Sequence, residues 1–408
     1  MYSNNLNSKI RTPGEDDGEE QKNSVQHSLA RSTIDDKNSV HSGQLIDDHN
    51  MNNISQQRSH QGSIYSDSLT QSIKATNPFN ALQRVIENTQ RVDWDLLLKP
   101  KKKLSGHIGR AVHFSWASAL FPTQLVSCDD IGQVIHWNGK KAKQITFFDL
   151  NMPLFWADMD PEYGKYAIVG AQNGRIYVLK LNPDSKKVTK RPANSTDIFI
   201  IESGPAPCTV CKFMNGNIIV SGSAEGTVCV WDINDKDQLV SRHNLHEAGI
   251  TTAAVSDEDA NLVLTGSADR TCKIWDMRVK YPVQQEYKSH LGSVHDIEFM
   301  PGMITSFGSC GDDGSIRLYD IRMNKEFACL IDKTSNDAIN SISFSPSGRV
   351  IVAATENRTL KVWDSLLDAD PFQYLDFGFL QGLQWAKLSK DGYAVGVLGK
   401  EGILGTAY

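Results

Sequence analysis

A twelve-residue pattern recurs at a fixed spacing through the second half of the chain. Each copy ends in an aromatic residue followed by Asp, and the clearest copies occupy 221–232, 265–276, 309–320 and 353–364. The aromatic residues of successive copies are 44 positions apart. Such a period indicates one supersecondary unit written several times, in which neighbouring units bury each other's apolar faces. Most residues inside the repeats are therefore expected to have structural roles.

A period of about 40–45 residues ending in Trp-Asp is typical of WD40 β-propeller blades, each a small antiparallel sheet. Weaker blade ends occur at Trp137, at Leu179 and within residues 402–408, which brings the number of blades to seven. The sequence therefore predicts an all-β, seven-bladed WD40 β-propeller over residues 100–408. The longest interval between blade ends has its extra length between about 182 and 203, where residues 182–187 are predicted to form a loop.

The two ends of the repeat region should meet, because an open ring would leave an unpaired sheet edge. We expect residues 100–104 to form the outer strand of the last blade, whose third strand should end at Tyr408. Residues 1–75 are polar and have few large apolar side chains. Such a segment cannot bury enough apolar area to offset the entropy of ordering, so a disordered tail is predicted.

A short helical segment is predicted between the tail and the propeller, over residues 76–99. It begins at Asn77-Pro78, where Asn is a good N-cap and Pro suits the first helical position. Four apolar residues then recur at helical spacing: Phe79, Leu82, Val85 and Ile86. A helix this short is marginal alone, so its apolar stripe is expected to dock on another surface.

Composition excludes several classes of function. The net charge of −6 and the lack of a basic face argue against nucleic-acid binding. No apolar run approaches the roughly 20 residues that span a bilayer, and the N-terminus lacks a secretory signal pattern. The seven cysteines are scattered and odd in number, which favours reduced thiols in a cytoplasmic protein.

The best-preserved blades contain a set of polar residues that superficially resembles a hydrolase triad. The two sets are His246, Thr265, Asp269 and Trp275, and His290, Ser309, Asp313 and Tyr319. In WD40 proteins such a tetrad is a buried hydrogen-bond chain, and a hydrolase would need its Ser exposed beside an oxyanion site. We therefore predict structural tetrads and no catalytic residues, cofactor or metal site.

Other blades depart from this pattern. In the first blade, Ile131 occupies the position of the tetrad Asp, and in the sixth blade Asn357 occupies it. The second and seventh blades lack most of the set, and all four blades are expected to be held mainly by apolar packing and contacts with neighbouring blades. Cys208 and Cys211 form a lone CxxC pair that should point to opposite faces of a strand, which argues against zinc.

Residues 103–408 resemble the β subunit of heterotrimeric G proteins. The resemblance is carried by residues 104–107, 309–322 and 343–366, and by the seven-blade count. It implies a non-catalytic signalling subunit that binds a GDP-bound α subunit, and alternately effectors, through loops and turns on one propeller face. It also implies a γ subunit, which would contact Phe79, Leu82, Val85 and Ile86 and hold the complex at the inner face of the plasma membrane.

The α-subunit and effector positions of that family can be transferred one by one. They fall on Ile108, Arg110, Val112, Gln133, Ile135, Pro153, Phe155, Asn173, Pro207, Ile250, Ser293, Asp312, Glu356 and Lys400. Two Trp anchors of the family are replaced here by Pro153 and Lys400, and Phe155 or Trp156 is a candidate substitute for the first. The alternative hypothesis is a WD40 scaffold or adaptor that no longer binds an α subunit; an enzyme built on a propeller is the third.

Overall fold

Each predicted repeat forms its own antiparallel β-sheet, and seven sheets are present in the part of the chain that the structure describes. The computed structural model describes residues 100–407 except 118–119, 182–188, 193–195, 236–237, 280–281, 366–369, 372, 378–379 and 403. The predicted tail, the predicted helical segment and Tyr408 lie outside the described residues. The prediction of an all-β, seven-bladed propeller is confirmed.

The strands are numbered in chain order, and each blade runs from its innermost strand outward. The first three blades contain β2 (Ala111–Trp116), β3 (Gln124–Asp129), β4 (Gln133–Asn138), β5 (Lys143–Asp149) and β9 (Thr189–Pro192); β6 (Leu154–Met159), β7 (Tyr166–Ala171), β8 (Arg175–Lys180) and β10 (Ile198–Glu202); and β11 (Cys208–Phe213), β12 (Ile218–Ser223), β13 (Thr227–Asp232) and β14 (Leu239–Asn244).

The remaining four blades follow the same plan. They contain β15 (Ile250–Val255), β16 (Leu262–Ser267), β17 (Cys272–Asp276) and β18 (Val283–Tyr287); β19 (Val294–Phe299), β20 (Ser306–Gly311), β21 (Ser315–Asp320) and β22 (Glu326–Ile331); β23 (Ile339–Phe344), β24 (Val350–Thr355), β25 (Thr359–Asp364) and β26 (Gln373–Asp376); and β27 (Leu383–Leu388), β28 (Val395–Gly399), β29 (Leu404–Ala407) and β1 (Pro100–Leu104).

The ring is closed by strands from both ends of the propeller sequence. β1 pairs antiparallel with β29, with Lys103 opposite Gly405 and Leu104 opposite Leu404. The innermost strands of successive blades lie side by side, and β27 of the seventh blade contacts β2 of the first. The prediction that residues 100–104 form the outer strand of the last blade is therefore confirmed.

The first blade has a fifth strand, which comes from the long interval between residues 182 and 203. β9 runs parallel to β5, with Thr189 opposite Thr146 and Pro192 opposite Asp149. β10 then returns to complete the second blade. The sequence did not predict these two strands, and the predicted loop at 182–187 lies outside the described residues.

Packing between blades depends on small residues where inner strands approach their neighbours. A Cβ placed on Gly222 in β12 would lie 2.8 Å from Cγ2 of Ile250 in the next blade.

Three blade-end indoles, those of Trp137, Trp275 and Trp363, are fully buried. Burying a large aromatic side chain of this kind contributes about 1.5–3 kcal/mol, so the periodic aromatic residues are a main source of propeller stability.

A β-bulge occurs at the second residue of the innermost strand in every blade, where the pairing with the next strand shifts by one residue. The bulged residues are Val112, Phe155, Thr209, Thr251, His295, Asn340 and Gln384. A bulge leaves the extra residue unpaired and re-aims its side chain. Thr209 Oγ1, for example, donates to the Ile250 carbonyl of the next blade at 2.6 Å, so the bulged residues help to join adjacent blades.

Candidate partner-binding face

One backbone hydrogen bond is repeated in all seven blades and defines one face of the propeller. The first residue of the turn between the second and third strands donates its N–H to a carbonyl in the loop that opens the blade, over 2.9–3.1 Å. The donor and acceptor pairs are Asp130 and Arg110, Gln172 and Pro153, Ala224 and Pro207, Ala268 and Gly249, Asp312 and Ser293, Glu356 and Ala338, and Lys400 and Gly382. We call the surface formed by these loops and turns the loop–turn face.

Seven of the fourteen predicted α-subunit and effector positions are members of these pairs. They are Arg110, Pro153, Pro207, Ser293, Asp312, Glu356 and Lys400. Because a main-chain bond fixes each pair, the side chains at these positions can vary without changing the backbone of the face. The structure therefore brings these predicted residues together on one surface of the molecule.

The predicted residues differ in how much side chain they offer to a partner. Ile108 is 83% exposed, and Arg110, Asn173, Asp312 and Glu356 are also exposed. The half-buried residues are Val112, Pro153, Phe155, Pro207, Ser293 and Lys400.

Three of the predicted positions are buried and are removed from the proposed surface. Ile135 and Ile250 are 0% and 1% exposed and belong to the apolar core. Gln133 is also buried, and its Oε1 accepts a hydrogen bond from the Ile108 backbone at 3.0 Å. These side chains support the loop–turn face from below, because each lies within or at the start of a strand whose neighbours cover it.

The charged residues of the loop–turn face are linked to partners that the sequence did not reveal. His295 Nε2 lies 2.9 Å from Asp312 Oδ1 within the fifth blade. Lys400 Nζ lies 2.6 Å from Glu356 Oε1 and connects the seventh blade to the sixth. His295 is one of the bulged residues, and only its place two positions after Ser293 would have marked it in the sequence.

Trp156 does not substitute on this face for the family's first Trp anchor, whose position is occupied here by Pro153. Trp156 is only 4% exposed, and its ring stacks on His113 with centroids 3.9 Å apart. Trp385 packs against the same two rings. Phe155, which is a half-buried bulged residue, remains the aromatic side chain beside Pro153.

Both predicted tetrads form their central hydrogen bonds. His290 Nδ1 lies 3.0 Å from Asp313 Oδ2, and its Nε2 lies 2.6 Å from Ser309 Oγ. In the preceding blade, His246 makes the corresponding contacts to Asp269 and Thr265 at 2.9 and 2.8 Å. Although burial opposes it, hydrogen bonding to His290 holds the pKa of Asp313 well below its usual range.

The aromatic ends of these two tetrads are not hydrogen-bonded. Trp275 Nε1 and the Tyr319 hydroxyl have no hydrogen-bond partner among the described residues. In both tetrads the predicted hydrogen bonds therefore join His to Asp and to Ser or Thr, and the aromatic residue contributes through packing. Ser309 is fully buried, so it is inaccessible to a substrate, as the structural interpretation requires.

The first blade contains a complete tetrad, which corrects the expectation that Ile131 interrupts it. Asp129 Oδ2 lies 3.0 Å from His107 Nδ1, Ser127 Oγ lies 2.6 Å from His107 Nε2, and Trp137 Nε1 donates to Ser127 at 2.8 Å. Asp129 supplies the tetrad carboxylate that was expected at position 131. Residues two apart on a strand share a face, so the Asp129 carboxylate lies beside Ser127. Its Oδ1 also accepts N–H bonds from the following turn.

The sixth blade has a buried ion pair in place of a tetrad. Lys361 Nζ lies 2.6 Å from Asp332 Oδ2 and 2.6 Å from Ser335 Oγ, and both charged side chains are 3% exposed. Although burial opposes it, hydrogen bonds from Lys361 and Thr334 hold the pKa of Asp332 well below its usual range. The sequence did not predict this ion pair, which adds to the apolar packing expected for the blade.

The lone CxxC pair also differs from its predicted geometry. The bulge at Thr209 shifts the register, so that Cys208 lies opposite Ser223 and Cys211 opposite Ser221. Both cysteines therefore lie on the same face of β11, and both are buried. Burial, followed by the neighbouring Cys208 thiol, raises the pKa of Cys211 well above its usual value, so it stays a neutral thiol.

Comparison with known proteins finds matching repeats and a solved structure with the same fold. The WD domain, G-beta repeat matches residues 203–232, 237–276, 282–320 and 328–364. These matches end at the third, fourth, fifth and sixth of the seven blades. The solved WD40 β-propeller domain of Doa1 has the same fold, with a TM-score of 0.62, 20% identity, and coverage of 76% of this chain and 96% of that domain.

The chain is also similar in sequence to G-protein β subunits. A guanine nucleotide-binding protein subunit beta from Zea mays is 24% identical over 277 residues, which cover 65% of this chain and 71% of the relative. The corresponding protein from Arabidopsis thaliana is 25% identical over 311 residues, covering 72% and 79%. Subunit beta-5b from Danio rerio is 25% identical over 294 residues, covering 70% of each chain.

No helix among the described residues has the length and apolar character required to cross a bilayer.

Proposed function

We propose that this protein is a non-catalytic G-protein β-like subunit that binds a GDP-bound α subunit through the loop–turn face. The observation that carries the proposal is the sevenfold loop–turn hydrogen bond, which gathers seven of the predicted contact positions on one surface. Similarity to relatives named as G-protein β subunits supports the same function. In that complex, residues 76–99 would contact a γ subunit, whose lipid would bring the assembly to the inner face of the plasma membrane.

The exposed chemistry of the face suits a protein partner. Ile108 and Leu291, in the loops that open the first and fifth blades, are 83% and 78% exposed. Arg110, Asp312 and Glu356 supply charges of both signs beside them. Apolar anchors surrounded by complementary charges are what a specific, reversible protein interface requires.

A WD40 scaffold that has lost α-subunit binding is the second candidate, and one observation favours it. Lys400 stands where the family has a Trp anchor, and its ammonium group is paired with Glu356. Buried aromatic anchors usually dominate interface energy. A face without that anchor suits a different protein partner, and in that case the protein would assemble other complexes.

Affinity purification of the tagged full chain from its own cells separates these functions. With GDP present, a GTPase and a small γ-like chain should be recovered together, and the GTPase alone should be lost with GTPγS. The recovered GTPase is then tested against purified Asp312→Ala, which should weaken binding without lowering the melting temperature. Asp257→Ala is a matched control, because Asp257 is exposed and lies in the turn between the first two strands of its blade, away from the loop–turn pairs.

Recovery of other complexes without a GTPase would reject the α-subunit proposal in favour of the scaffold. Unchanged affinity of Asp312→Ala for a recovered GTPase would place the binding surface elsewhere on the propeller.

A further inference from the structure

The end of the propeller opposite the loop–turn face carries exposed apolar side chains in three adjacent blades. Within a blade the strands are antiparallel, so the turn between the first and second strands lies at the other end from the loop–turn pair. Leu120, Tyr163 and Tyr393 occupy these turns in the first, second and seventh blades and are 67%, 55% and 68% exposed. We call the surface formed by the three turns, at 120–123, 160–165 and 389–394, the hairpin face.

The three turns of the hairpin face are neighbours in space. Trp116, at the end of β2, donates its Nε1–H to the Lys387 carbonyl near the end of β27, over 2.8 Å. These two strand ends lead into the turns of the first and seventh blades. On the other side, a Cβ placed on Gly164 would lie 3.4 Å from Cδ2 of Phe121, so the turn of the second blade packs on that of the first. The exposed apolar side chains therefore belong to one continuous surface.

The N-terminal part of the chain enters the propeller at this same end. β1 runs from Pro100 to Leu104 and then toward the loop that opens the first blade, so its first residue lies at the hairpin end of the seventh blade. Pro100 is opposite Ala407, and Ala407 is opposite Val395, two residues after Tyr393. Two strand spacings, about 10 Å, separate Pro100 from Val395. The residues before Pro100 are therefore attached beside the hairpin face.

The sequence just before this attachment point supplies large apolar side chains. Trp94, Leu96, Leu97 and Leu98 lie two to six residues before Pro100. An extended chain covers at most about 3.3–3.6 Å per residue, so the indole can be placed up to about 20 Å from Pro100. The four strands of the seventh blade extend about 15 Å from β1 to β27. The indole therefore reaches the boundary between the seventh and first blades.

The charges around the indole complement those beside the hairpin face. Asp93 and Asp95 flank it in the sequence. The turn between β4 and β5 presents exposed lysines within 140–143, and the Gly139 N–H of this turn donates to the Thr123 carbonyl of the hairpin face at 2.7 Å. Exposed ion pairs add little stability but favour one orientation over others. An indole on the turn of the first blade brings its flanking carboxylates toward these lysines.

Covalent attachment favours this segment over a separate molecule as the occupant of the face. A short tether gives a segment an effective concentration of about millimolar at a site that it can reach. A second copy of the chain or another protein would have to compete from a much lower concentration. The apolar side chains of the face and of the segment are each costly to leave in water, so their contact is stabilising.

We infer that residues 94–98 fold back onto the hairpin face of their own propeller, with Trp94 packed against Leu120 and Tyr393. This contact holds the N-terminal segment at the propeller and leaves the predicted helical stripe at 79–86 for a γ subunit. The inference concerns the end of the molecule away from the proposed α-subunit surface and does not depend on that function.

Site-specific photo-cross-linking of the purified full chain tests the inference. In Trp94→p-benzoylphenylalanine, irradiation should give a monomeric product whose cross-links, mapped by mass spectrometry, fall on 120–123 and 389–394. Tyr65→p-benzoylphenylalanine, in the polar tail, is the matched control and should give no preferred cross-link to these turns.

Melting temperatures of combined variants test whether the contact is stabilising. Trp94→Ser should lower the melting temperature of the full chain by roughly 2–5 °C, because apolar burial is lost. In the background Leu120→Ser/Tyr393→Ser the same change should lose most of its effect, since its contact surface is already removed. In the matched background Leu239→Ser/Val240→Ser, which alters exposed apolar residues of β14 in the third blade, Trp94→Ser should keep its full effect.

Three results would overturn the inference. They are cross-links from position 94 that fall on the loop–turn face, cross-links that join position 94 to a second copy or to another protein, and an effect of Trp94→Ser that is equal in all three backgrounds. None of these results depends on whether a GTPase binds the loop–turn face, so failure here and failure of the proposed function are distinguishable.

Discussion

Replacing Lys361 by Met should destabilise the propeller strongly, because it leaves a buried carboxylate without its cation. Asp332 is 3% exposed, and its Oδ2 lies 2.6 Å from Lys361 Nζ. Removing one member of such a pair costs about 3–5 kcal/mol, since the remaining charge stays desolvated. For a propeller of this size the loss corresponds to a fall of roughly 5–10 °C in melting temperature.

Calorimetric unfolding of three variants tests the reasoning. Lys361→Met/Asp332→Leu should recover much of the lost stability, because a buried ion pair replaced by apolar residues is often tolerated. Lys333→Met is the control, since this lysine lies in the same blade and is 73% exposed. Because the pKa of Asp332 is depressed, its stabilising contribution is present above about pH 4 and is lost as pH falls below that value. Equal melting temperatures for Lys361→Met and Lys333→Met would refute the buried-pair argument.

Two further predictions concern the first blade. Asp129→Ala should lower the free energy of unfolding by about 2–3 kcal/mol, because it leaves His107 Nδ1 and several turn N–H groups unpaired. Ile131→Ala, the control, should change it by less than about 0.5 kcal/mol. Equal effects of the two variants in denaturant unfolding would reject the Asp129 tetrad. Burial lowers the pKa of His136 to about 4, so the unfolded state binds more protons below about pH 6.5, and stability should fall by about 3 kcal/mol between pH 6.5 and 4. His136→Gln should flatten that part of the stability profile, and an unchanged slope would count against the assignment.

The sequence predicts the architecture because the blade pattern is periodic and local. The 44-residue spacing places the end of the third strand in the third to sixth blades. The closure of the ring by residues 100–104 follows from the cost of an open edge. β9 could not be predicted in the same way. Its pairing with β5 joins two segments from different repeats, and no periodic signal marks such a pairing.

The polar networks were predictable only where spacing was preserved. His246 and His290 precede their acids by the same number of residues, so both tetrads could be identified. Asp129 occupies a different position along the chain but reaches the same place in space, because the strand alternates its side chains. The Thr209 bulge had the opposite effect on the cysteine pair, since one inserted residue moves Cys208 onto the face of Cys211.

Backbone contacts hold the loop–turn face, while side chains give it specificity. The hydrogen bond that joins Asp312 to Ser293 has the same form as the one that joins Lys400 to Gly382, although the residues have nothing in common. Positions transferred from related proteins therefore lie on this face where they belong to these hydrogen-bonded pairs, whereas Gln133, Ile135 and Ile250 are buried. Such a transfer does not predict what each residue contacts, because the bulged side chains beside it, such as His295, change from blade to blade. The choice of partner should therefore depend on the seven bulged residues as much as on the positions shared with the relatives.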